Sequence, residues 1–271
     1  MRKHFIIIII AFSCLTNVYS QKGLELGGDI GMAWYFGDLN TSYDLSKPGF
    51  ALGLKARQNF NERLSISGGF QFAHVSASDA NSNNFFEKNR NLDFRSNTFD
   101  FNASLEFNFF PYKHGSKDNY YTPYLFTGFS IMKFNPKTDL DGTTYALRDF
   151  GTEGQFINSE YHLVSAAFLY GFGFKWDLNK DWSINTQITG RKLVSDYIDD
   201  VSGTYPEFVG LETLRGPVAV QLSNKAENSE FVSPGLQRGN GKNNDVIYIL
   251  SIGLMRYFGQ LQCPSISNPA Y

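Results

Sequence analysis

Cysteine, long apolar runs and net charge are all scarce in this sequence. Its 271 residues include two cysteines, Cys14 and Cys263. No stretch of 18 consecutive apolar residues follows the first twenty positions, which excludes a transmembrane helix there. The 24 basic and 26 acidic residues nearly balance, with a formal net charge of −2, so the sequence has no electrostatic footprint for nucleic acid.

Aromatic residues, by contrast, are unusually common. They make up 16% of the chain, with 26 phenylalanines and 15 tyrosines. Side chains of this size need a large apolar surface or interior to cover. The length allows one large domain or two small ones.

The N-terminus resembles a secretory signal peptide. Arg2 and Lys3 precede an apolar run over 5–15, and small residues lead to a cleavage site before Gln21. The apolar run is too short to span a membrane. We therefore predict a signal peptide over residues 1–20; the alternatives are a lipoprotein cut before Cys14 and a buried N-terminal helix or strand.

Removal of residues 1–20 would leave Cys263 as the remaining cysteine, which excludes an intrachain disulfide. It would also leave 22 basic and 26 acidic residues, a net charge of −4.

The segment 99–109 alternates strictly between apolar and polar residues. Phe99, Phe101 and Phe107 fall on one face of a strand, and Asp100 and Glu106 fall on the other. A face of aromatic residues opposite a face of carboxylates and amides is typical of a strand between lipid and a polar lumen.

The same pattern recurs and predicts eight strands. Each is about as long as a tilted strand that crosses a bilayer. The predicted strands lie near 24–36, 50–60, 64–72, 99–109, 122–134, 168–178, 182–191 and 246–258, and the fifth alternates least clearly.

The connections alternate between short and long. The long ones cover about 38–49, 78–95, 135–160 and 194–244. Long outer loops, short periplasmic turns and an even strand number are typical of outer-membrane barrels. We predict an all-β fold, an eight-stranded antiparallel up-and-down transmembrane β-barrel over 21–258 in the outer membrane of a Gram-negative cell. A secreted β-sandwich is the alternative, but it does not explain the loop asymmetry.

Charged residues on the inner face predict an ionic network. A barrel of eight strands has room only for side chains, and unpaired charges there are costly. We expect these charges to pair and to plug the lumen, in a structural and not a catalytic role, so that the barrel is not a pore. The predicted network comprises Glu25, Asp29, Lys55, Arg57, Asp100, Glu106, Lys175, Asp177 and Arg191.

Two further groups of residues invite a chemical interpretation. His74 and Ser76 share the outward face of the third strand, as a base and nucleophile of a lipid A hydrolase would. A second group, Asp196, Asp199, Asp200 and Glu207, could hold a hard cation, although its spacing matches no calcium loop and a solvated acidic loop is favoured. We predict no enzymatic activity, no metal and no cofactor.

Several motifs resemble a known family. These are 31–40, 123–126, 134–136, 173–176 and 238–240, and most specifically the run Ser195-Asp196-Tyr197-Ile198-Asp199-Asp200-Val201-Ser202 through Tyr205. The chain resembles the PorG-like outer-membrane β-barrels of Bacteroidetes, which belong to the type IX secretion and gliding apparatus. The resemblance implies a non-enzymatic component that ties a periplasmic ring of lipoprotein and other subunits to the outer membrane. The alternatives are a small OmpA- or OmpX-like barrel in adhesion or membrane integrity, a porin, and the lipid A hydrolase.

A periplasmic partner would have two places to bind. One is the turn near 111–120, which has aromatic ends and a basic middle, and the other is a C-terminal tail over 259–271. Aromatic and basic residues commonly anchor interfaces, although a flexible turn and a frayed terminus are equally compatible with the sequence. The predicted contact residues are Tyr112, Lys113, Lys117, Tyr120, Cys263 and Tyr271.

Overall fold

Eight of ten β-strands pair into a closed antiparallel ring in a computed structural model of the chain. The structure describes residues 23–226, 228 and 231–259, so the predicted signal peptide, Cys263 and Tyr271 lie outside the described residues. The barrel strands are β1 (Gly23–Phe36), β2 (Gly49–Asn59), β3 (Leu64–Ser78), β4 (Asp93–Asn108), β5 (Tyr121–Lys133), β8 (Val164–Asp177), β9 (Trp182–Leu193) and β10 (Val246–Tyr257).

Each barrel strand pairs with its neighbours in sequence, and the ring closes between β1 and β10. Glu25 lies opposite Tyr257, and the register continues to Phe36 opposite Val246. The longest ladder joins β3 to β4, from Leu64 opposite Phe107 to Ser78 opposite Asp93. The predicted eight-stranded up-and-down barrel is therefore confirmed. Closure removes free sheet edges, which a lipid-facing sheet requires.

Three short turns, 60–63, 109–120 and 178–181, join strands at one end of the barrel. The connections at the other end are long, 37–48, 79–92, 134–163 and 194–245, and they are not plain loops as expected from the sequence. They contain a hairpin of β6 (Lys137–Leu140) and β7 (Thr143–Ala146), 3₁₀ turns at Asp79–Asn81 and Leu147–Phe150, and helices at Phe85–Arg90, Phe208–Arg215 and Pro217–Ser223. We call this folded layer the outer cap. No helix in the described ranges has the length and apolarity needed to cross a membrane.

The polarity of the barrel wall inverts along its length. Nearer the short turns, apolar side chains such as Leu54, Phe101 and Phe129 face outward. Near the outer cap, Arg95 faces outward and its neighbour Phe94 is buried inside. Because the pattern is inverted there, the sequence does not reveal the outer ends of β3 and β4. These strands extend beyond the predicted limits of 72 and 99, to Ser78 and Asp93. The inversion marks where a lipid-facing wall ends.

An apolar core joins the outer mouth of the barrel to the outer cap. It contains inward residues of the strands, including Ala33, Ala73 and Met132, and cap residues such as Ile198 and Leu222. Burial of apolar surface stabilises by about 25 cal/mol per Å², so the two parts stabilise each other. The outer cap is therefore continuous with the barrel.

A charge on the outward wall tests whether that wall faces lipid. Leu54 is 68% exposed at the middle of β2. We expect Leu54→Arg to lower the free energy of unfolding in lipid vesicles by about 2–4 kcal/mol, the cost of arginine at the bilayer midplane. Urea titration in vesicles measures this effect. Val209→Arg, at a 70% exposed position of the outer cap, is the matched control and should have little effect; equal, small effects would mean that the wall faces water.

Candidate functional site

One carboxylate, that of Glu106, organises the lower lumen. Its oxygens lie 3.1 Å from Lys55 Nζ, 2.7 Å from Arg57 Nε and 2.8 Å from Lys175 Nζ. The three cations come from two other strands, β2 and β8. Period-two alternation points all four side chains inward, which brings them together in the lumen. Glu106, Arg57 and Lys175 have fully buried side chains. This four-residue group fills the cross-section of the barrel.

The other predicted lumen residues extend this group in both directions. Glu25 Oε2 pairs with Arg57 NH1 at 2.8 Å toward the turns, and Asp100 Oδ2 pairs with Arg191 Nε at 2.6 Å toward the outer cap. Asp29 has no ion pair within 4.0 Å among the described residues. It lines a cavity of about 20 Å³ together with Lys55, Gln71 and Arg191, which has room for about one water molecule.

Two aromatic residues complete the lower lumen. Lys175 Nζ lies 4.5 Å from the ring centre of Tyr124, and Lys55 Nζ lies 5.6 Å from that of Phe126. Such cation–π contacts become stronger when the cation is desolvated. The inner face of β5 therefore carries aromatic residues, as its outer face does. This is why the sequence of β5 alternates poorly between apolar and polar residues.

The turn 109–120 folds into the barrel mouth instead of hanging below it. The Tyr112 hydroxyl donates a hydrogen bond to Asp177, and the Gly115 N–H donates to the same carboxylate at 3.1 Å. Tyr112 is only 4% exposed, so its side chain points into the barrel mouth, whereas its predicted role in partner binding stays a prediction. Tyr120 is half-buried against Trp176, whereas Lys113 and Lys117 remain on the outer side of the turn.

His114 is the residue of this turn that sequence reasoning missed. Its Nε2 lies 3.2 Å from Glu25 Oε1, its Nδ1 lies 2.9 Å from Asp177 Oδ1, and its ring stacks on Tyr257 at 4.2 Å. Burial disfavours the charged ring, but the two carboxylates outweigh burial and raise the pKa of His114 to about 9. The i, i+2 spacing of Tyr112 and His114 is the signal that could have placed both side chains on the inner side.

A buried acidic motif lies under the outer cap. The Tyr35 hydroxyl is 2.5 Å from Asp199 Oδ2 and 3.0 Å from Asp245 Oδ1. Burial and neighbouring carboxylates raise the pKa of Asp199 and of Asp245 well above the usual range. The hydroxyl has one hydrogen and can donate it fully to only one of the two carboxylates at a time. Asp199 and Asp200 are each 1% exposed, which corrects the expectation of a solvated acidic loop.

Two arginines tie the loops of the outer cap together. Arg238 NH1 donates to the Asp200 carbonyl at 2.5 Å and pairs with Glu153 Oε1 at 3.1 Å. Arg90 pairs with Asp79 at 2.7 Å and donates to the carbonyls of Asp38 and Arg238. The run 195–205, which carries the family resemblance, therefore lies at the base of the outer cap, where Asp200 is held by Arg238.

The placement of the acidic side chains bears on the cation site that their spacing suggested. Within the described residues, no group of three or more histidine, cysteine or acidic side chains is placed to hold a metal ion. Asp196 is buried beside this motif, and burial raises its pKa to about 7. Glu207, the fourth residue of the predicted cluster, is exposed and caps the helix Phe208–Arg215 without a side-chain hydrogen bond.

The geometry around His74 does not favour a hydrolase. His74 Nδ1 is 2.7 Å from Asn97 Oδ1, an amide and not a carboxylate. The residue opposite Ser76 in the sheet is Arg95. An amide oxygen carries no negative charge, so it stabilises the imidazolium that forms when histidine acts as a base less than a carboxylate does.

The fold and lumen define a class: a closed eight-stranded β-barrel with an apolar outer wall, a lumen filled by side chains and a folded outer cap. Within that class, the chain belongs to the family described as domain of unknown function (DUF6089), whose model matches residues 2–215. No curated protein matches the chain in sequence.

Among solved structures, small outer-membrane barrels are similar to this chain. Neisserial surface protein A is 12% identical, with 87% of this chain and 97% of that chain covered and a TM-score of 0.44. OprG from Pseudomonas aeruginosa is 11% identical over 89% and 99%, with a TM-score of 0.44. Ail of Yersinia pestis, in complex with the heparin analogue sucrose octasulfate, is 11% identical over 89% and 100%, with a TM-score of 0.40.

His114, in the turn that fills the lower mouth of the barrel, makes barrel stability depend on pH. The pKa of His114 is about 9 in the folded protein and about 6.5 in an unfolded chain. Its stabilising effect is therefore fully present below about pH 6.5 and is lost as pH rises through about 9. We expect the unfolding midpoint in urea to fall over this range in the wild type and to fall less in His114→Gln. His74→Gln, at the opposite end of the barrel, should keep the wild-type decline; an unchanged decline in His114→Gln would contradict the assignment.

Proposed function

We propose that this protein is a non-conducting, non-enzymatic barrel of a Gram-negative outer membrane that presents its outer cap at the cell surface, in adhesion or in membrane integrity. The observation that carries the proposal is the apolar core shared by the barrel mouth and the outer cap. A loop layer fixed to the barrel in this way offers a rigid surface for binding. Loops positioned by a rigid scaffold are where binding residues concentrate.

The plugged lumen supports a role without conduction. Glu106 and its three cations fill the lower barrel, and His114 and Tyr112 fill the mouth below them. The cavity next to Asp29 in this part of the lumen has a volume of only about 20 Å³. Passage of a solute would require several buried ion pairs to break.

The orientation follows from the loop asymmetry. Outer-membrane barrels have short periplasmic turns and long extracellular loops, which would place the outer cap outside the cell and the turn 109–120 in the periplasm. The outward apolar wall is then in contact with membrane lipid.

Cysteine labelling in intact cells tests this orientation. In a Cys263→Ser background, Thr143→Cys places one thiol on the exposed hairpin of β6 and β7, and Lys117→Cys places one on the exposed turn. We expect a polyethylene-glycol maleimide, too large to cross the outer membrane, to modify Thr143→Cys in intact cells. Lys117→Cys should react only after permeabilisation. The reverse pattern would contradict the proposal.

A second candidate function is anchorage of a periplasmic secretion ring, as the PorG-like motifs imply. The observation that favours it is the fixed turn 109–120. Tyr112 and His114 hold this turn in place, while Lys117 is exposed and Lys113 is half-exposed. A rigid basic surface loses little conformational entropy on binding. The ring lipoprotein and its associated subunits would be the partners.

Charge reversal on the turn tests this second candidate. We expect Lys113→Glu combined with Lys117→Glu to reduce co-purification of ring subunits with the barrel, because the basic surface is removed. Lys180→Glu, in the exposed turn 178–181, is the matched control. Unchanged co-purification in the double variant, with a normally folded barrel, would exclude this turn as the contact.

A further inference from the structure

Two adjoining cavities lie at the outer end of the molecule, one beside the wall of the barrel and one between loops of the outer cap. The lower cavity has a volume of about 420 Å³, and Trp34, Ser42 and Ser76 are among its lining residues. The upper cavity has a volume of about 400 Å³ and is lined in part by Phe86 and Phe231. We call the two together the cap groove. Each volume lies within the range of about 300–1,000 Å³ that is usual for small-molecule sites.

Glu87 separates the two cavities and lines both. Its Oε1 accepts a hydrogen bond from Thr41 Oγ1 at 2.8 Å, and its Oε2 accepts one from Ser82 Oγ at 2.5 Å. The partition is thus one side chain held by two exposed or partly buried hydroxyl groups. An elongated ligand that offered its own hydroxyl groups could replace these bonds and occupy both cavities.

The lower cavity exists because β2 is short. β2 begins at Gly49, and its pairing with β3 starts at Ala51 opposite Ala73, whereas β3 continues to Ser78. The loop 37–48 covers the resulting gap in the wall. The cavity therefore opens beside the outer ends of β1 and β3.

This position coincides with the inversion of wall polarity. Below it, Phe70, Phe72 and Phe99 lie on the outward face with ring centres 5.2–6.3 Å apart. Above it, His74 and Arg95 face outward. Aromatic residues concentrate at the level of lipid headgroups in transmembrane barrels. The lower end of the cap groove thus opens at the outer surface of the membrane.

The lining has the chemistry that recognises sugars. Aromatic faces stack on the apolar face of a sugar ring, and hydroxyl and amide groups both donate and accept hydrogen bonds. Phe86 is 67% exposed and packs edge-on against Phe231. Within the described part of the chain, the side chains of Ser42, Ser76 and Gln237 have no intramolecular hydrogen-bond partner, so they are available to a ligand.

The charge of the lower cavity selects against anions. Its acidic residues Asp44, Glu87 and Asp93 outnumber the basic residues Lys47 and Arg95. Two of these charges are already paired, Arg95 with Asp139 and Asp93 with Lys225. Of the rest, Asp44 and Glu87 outnumber Lys47, whose Nζ donates to Asn81 at 3.0 Å. A phosphate or sulfate group would therefore meet net repulsion, whereas an uncharged sugar would not.

We propose that the cap groove binds the neutral saccharide of a glycolipid anchored in the outer leaflet, with the sugar chain running from the membrane surface to Phe86 and Phe231. The proposal depends on the outward orientation of the outer cap, which the labelling of Thr143→Cys decides separately. Failure of labelling would overturn both proposals, whereas failure of binding with correct labelling would overturn only this one.

Binding to lipopolysaccharide purified from the cells that make the protein tests the proposal. Three ligands are compared by surface plasmon resonance on the detergent-solubilised barrel: the intact lipopolysaccharide, the polysaccharide released from it by mild acid, and the lipid A left behind. We expect the intact molecule to bind most tightly. The released polysaccharide should bind more weakly, since it lacks the anchor, and lipid A should bind alike to all variants.

Two substitutions locate the site. Phe86→Ala removes the stacking face of the upper cavity, and Ser42→Trp fills the lower cavity. Each should weaken binding of the intact lipopolysaccharide about tenfold, equivalent to about 1.4 kcal/mol. Phe156→Ala is the matched control, an aromatic residue of the outer cap that is 71% exposed outside the cap groove.

Four outcomes would overturn the proposal. Absence of binding by the intact lipopolysaccharide, or equal binding by wild type and both variants, would remove the saccharide site. Lipid A binding as tightly as the intact molecule would assign recognition to the acyl chains. Released polysaccharide binding as tightly as the intact molecule would indicate a soluble glycan and contradict the membrane-anchored ligand.

Discussion

The carboxylate of Glu106, surrounded by three cations in the buried lumen, is the interaction on which the rest of the structure depends. Lys55, Arg57 and Lys175 would repel one another in the lumen without it. Removal of one partner from a buried ionic group is strongly destabilising because the other charges are left uncompensated. The barrel can carry a polar interior and an apolar exterior only while this group remains paired.

Closure of the lumen at both ends protects that pairing. His114 and Tyr112 exclude water from below through Glu25 and Asp177. The apolar layer of Ala33, Ala73 and Met132 excludes it from above and continues into the outer cap. Low effective dielectric strengthens attraction between opposite charges. Tyr112, His114 and the outer cap therefore stabilise the ionic group as well as covering it.

The sequence predicts the barrel well because period-two alternation is a local signal. The runs around Phe101 on β4 and Phe172 on β8 place lipid-facing and lumen-facing residues without any knowledge of their neighbours. The inward position of Glu106 and Lys175 follows in the same way. Which charges pair, however, depends on the register and closure of the ring, and no local pattern encodes that.

Other features are beyond local patterns for a related reason. The acidic run around Asp199 has the composition of a solvated loop, and only the packing of Ile198 and Val201 into the core shows that it is buried. His114 has the sequence context of an exposed turn, yet Glu25 from the first strand and Asp177 from β8 draw it inside. The inversion of polarity in β3 beyond Phe72 looks like the end of a strand. Each of these features depends on contacts between residues distant in the chain.

The most direct test of this account is the free energy of unfolding of Glu106→Gln in lipid vesicles. Loss of the central carboxylate should lower it by about 3–5 kcal/mol, the range for breaking a buried pair. The exposed pair of Asp139 and Arg95 provides the comparison, since Asp139→Asn should leave the free energy of unfolding nearly unchanged. If Glu106→Gln were destabilised no more than Asp139→Asn, the lumen network would not be what holds the barrel together.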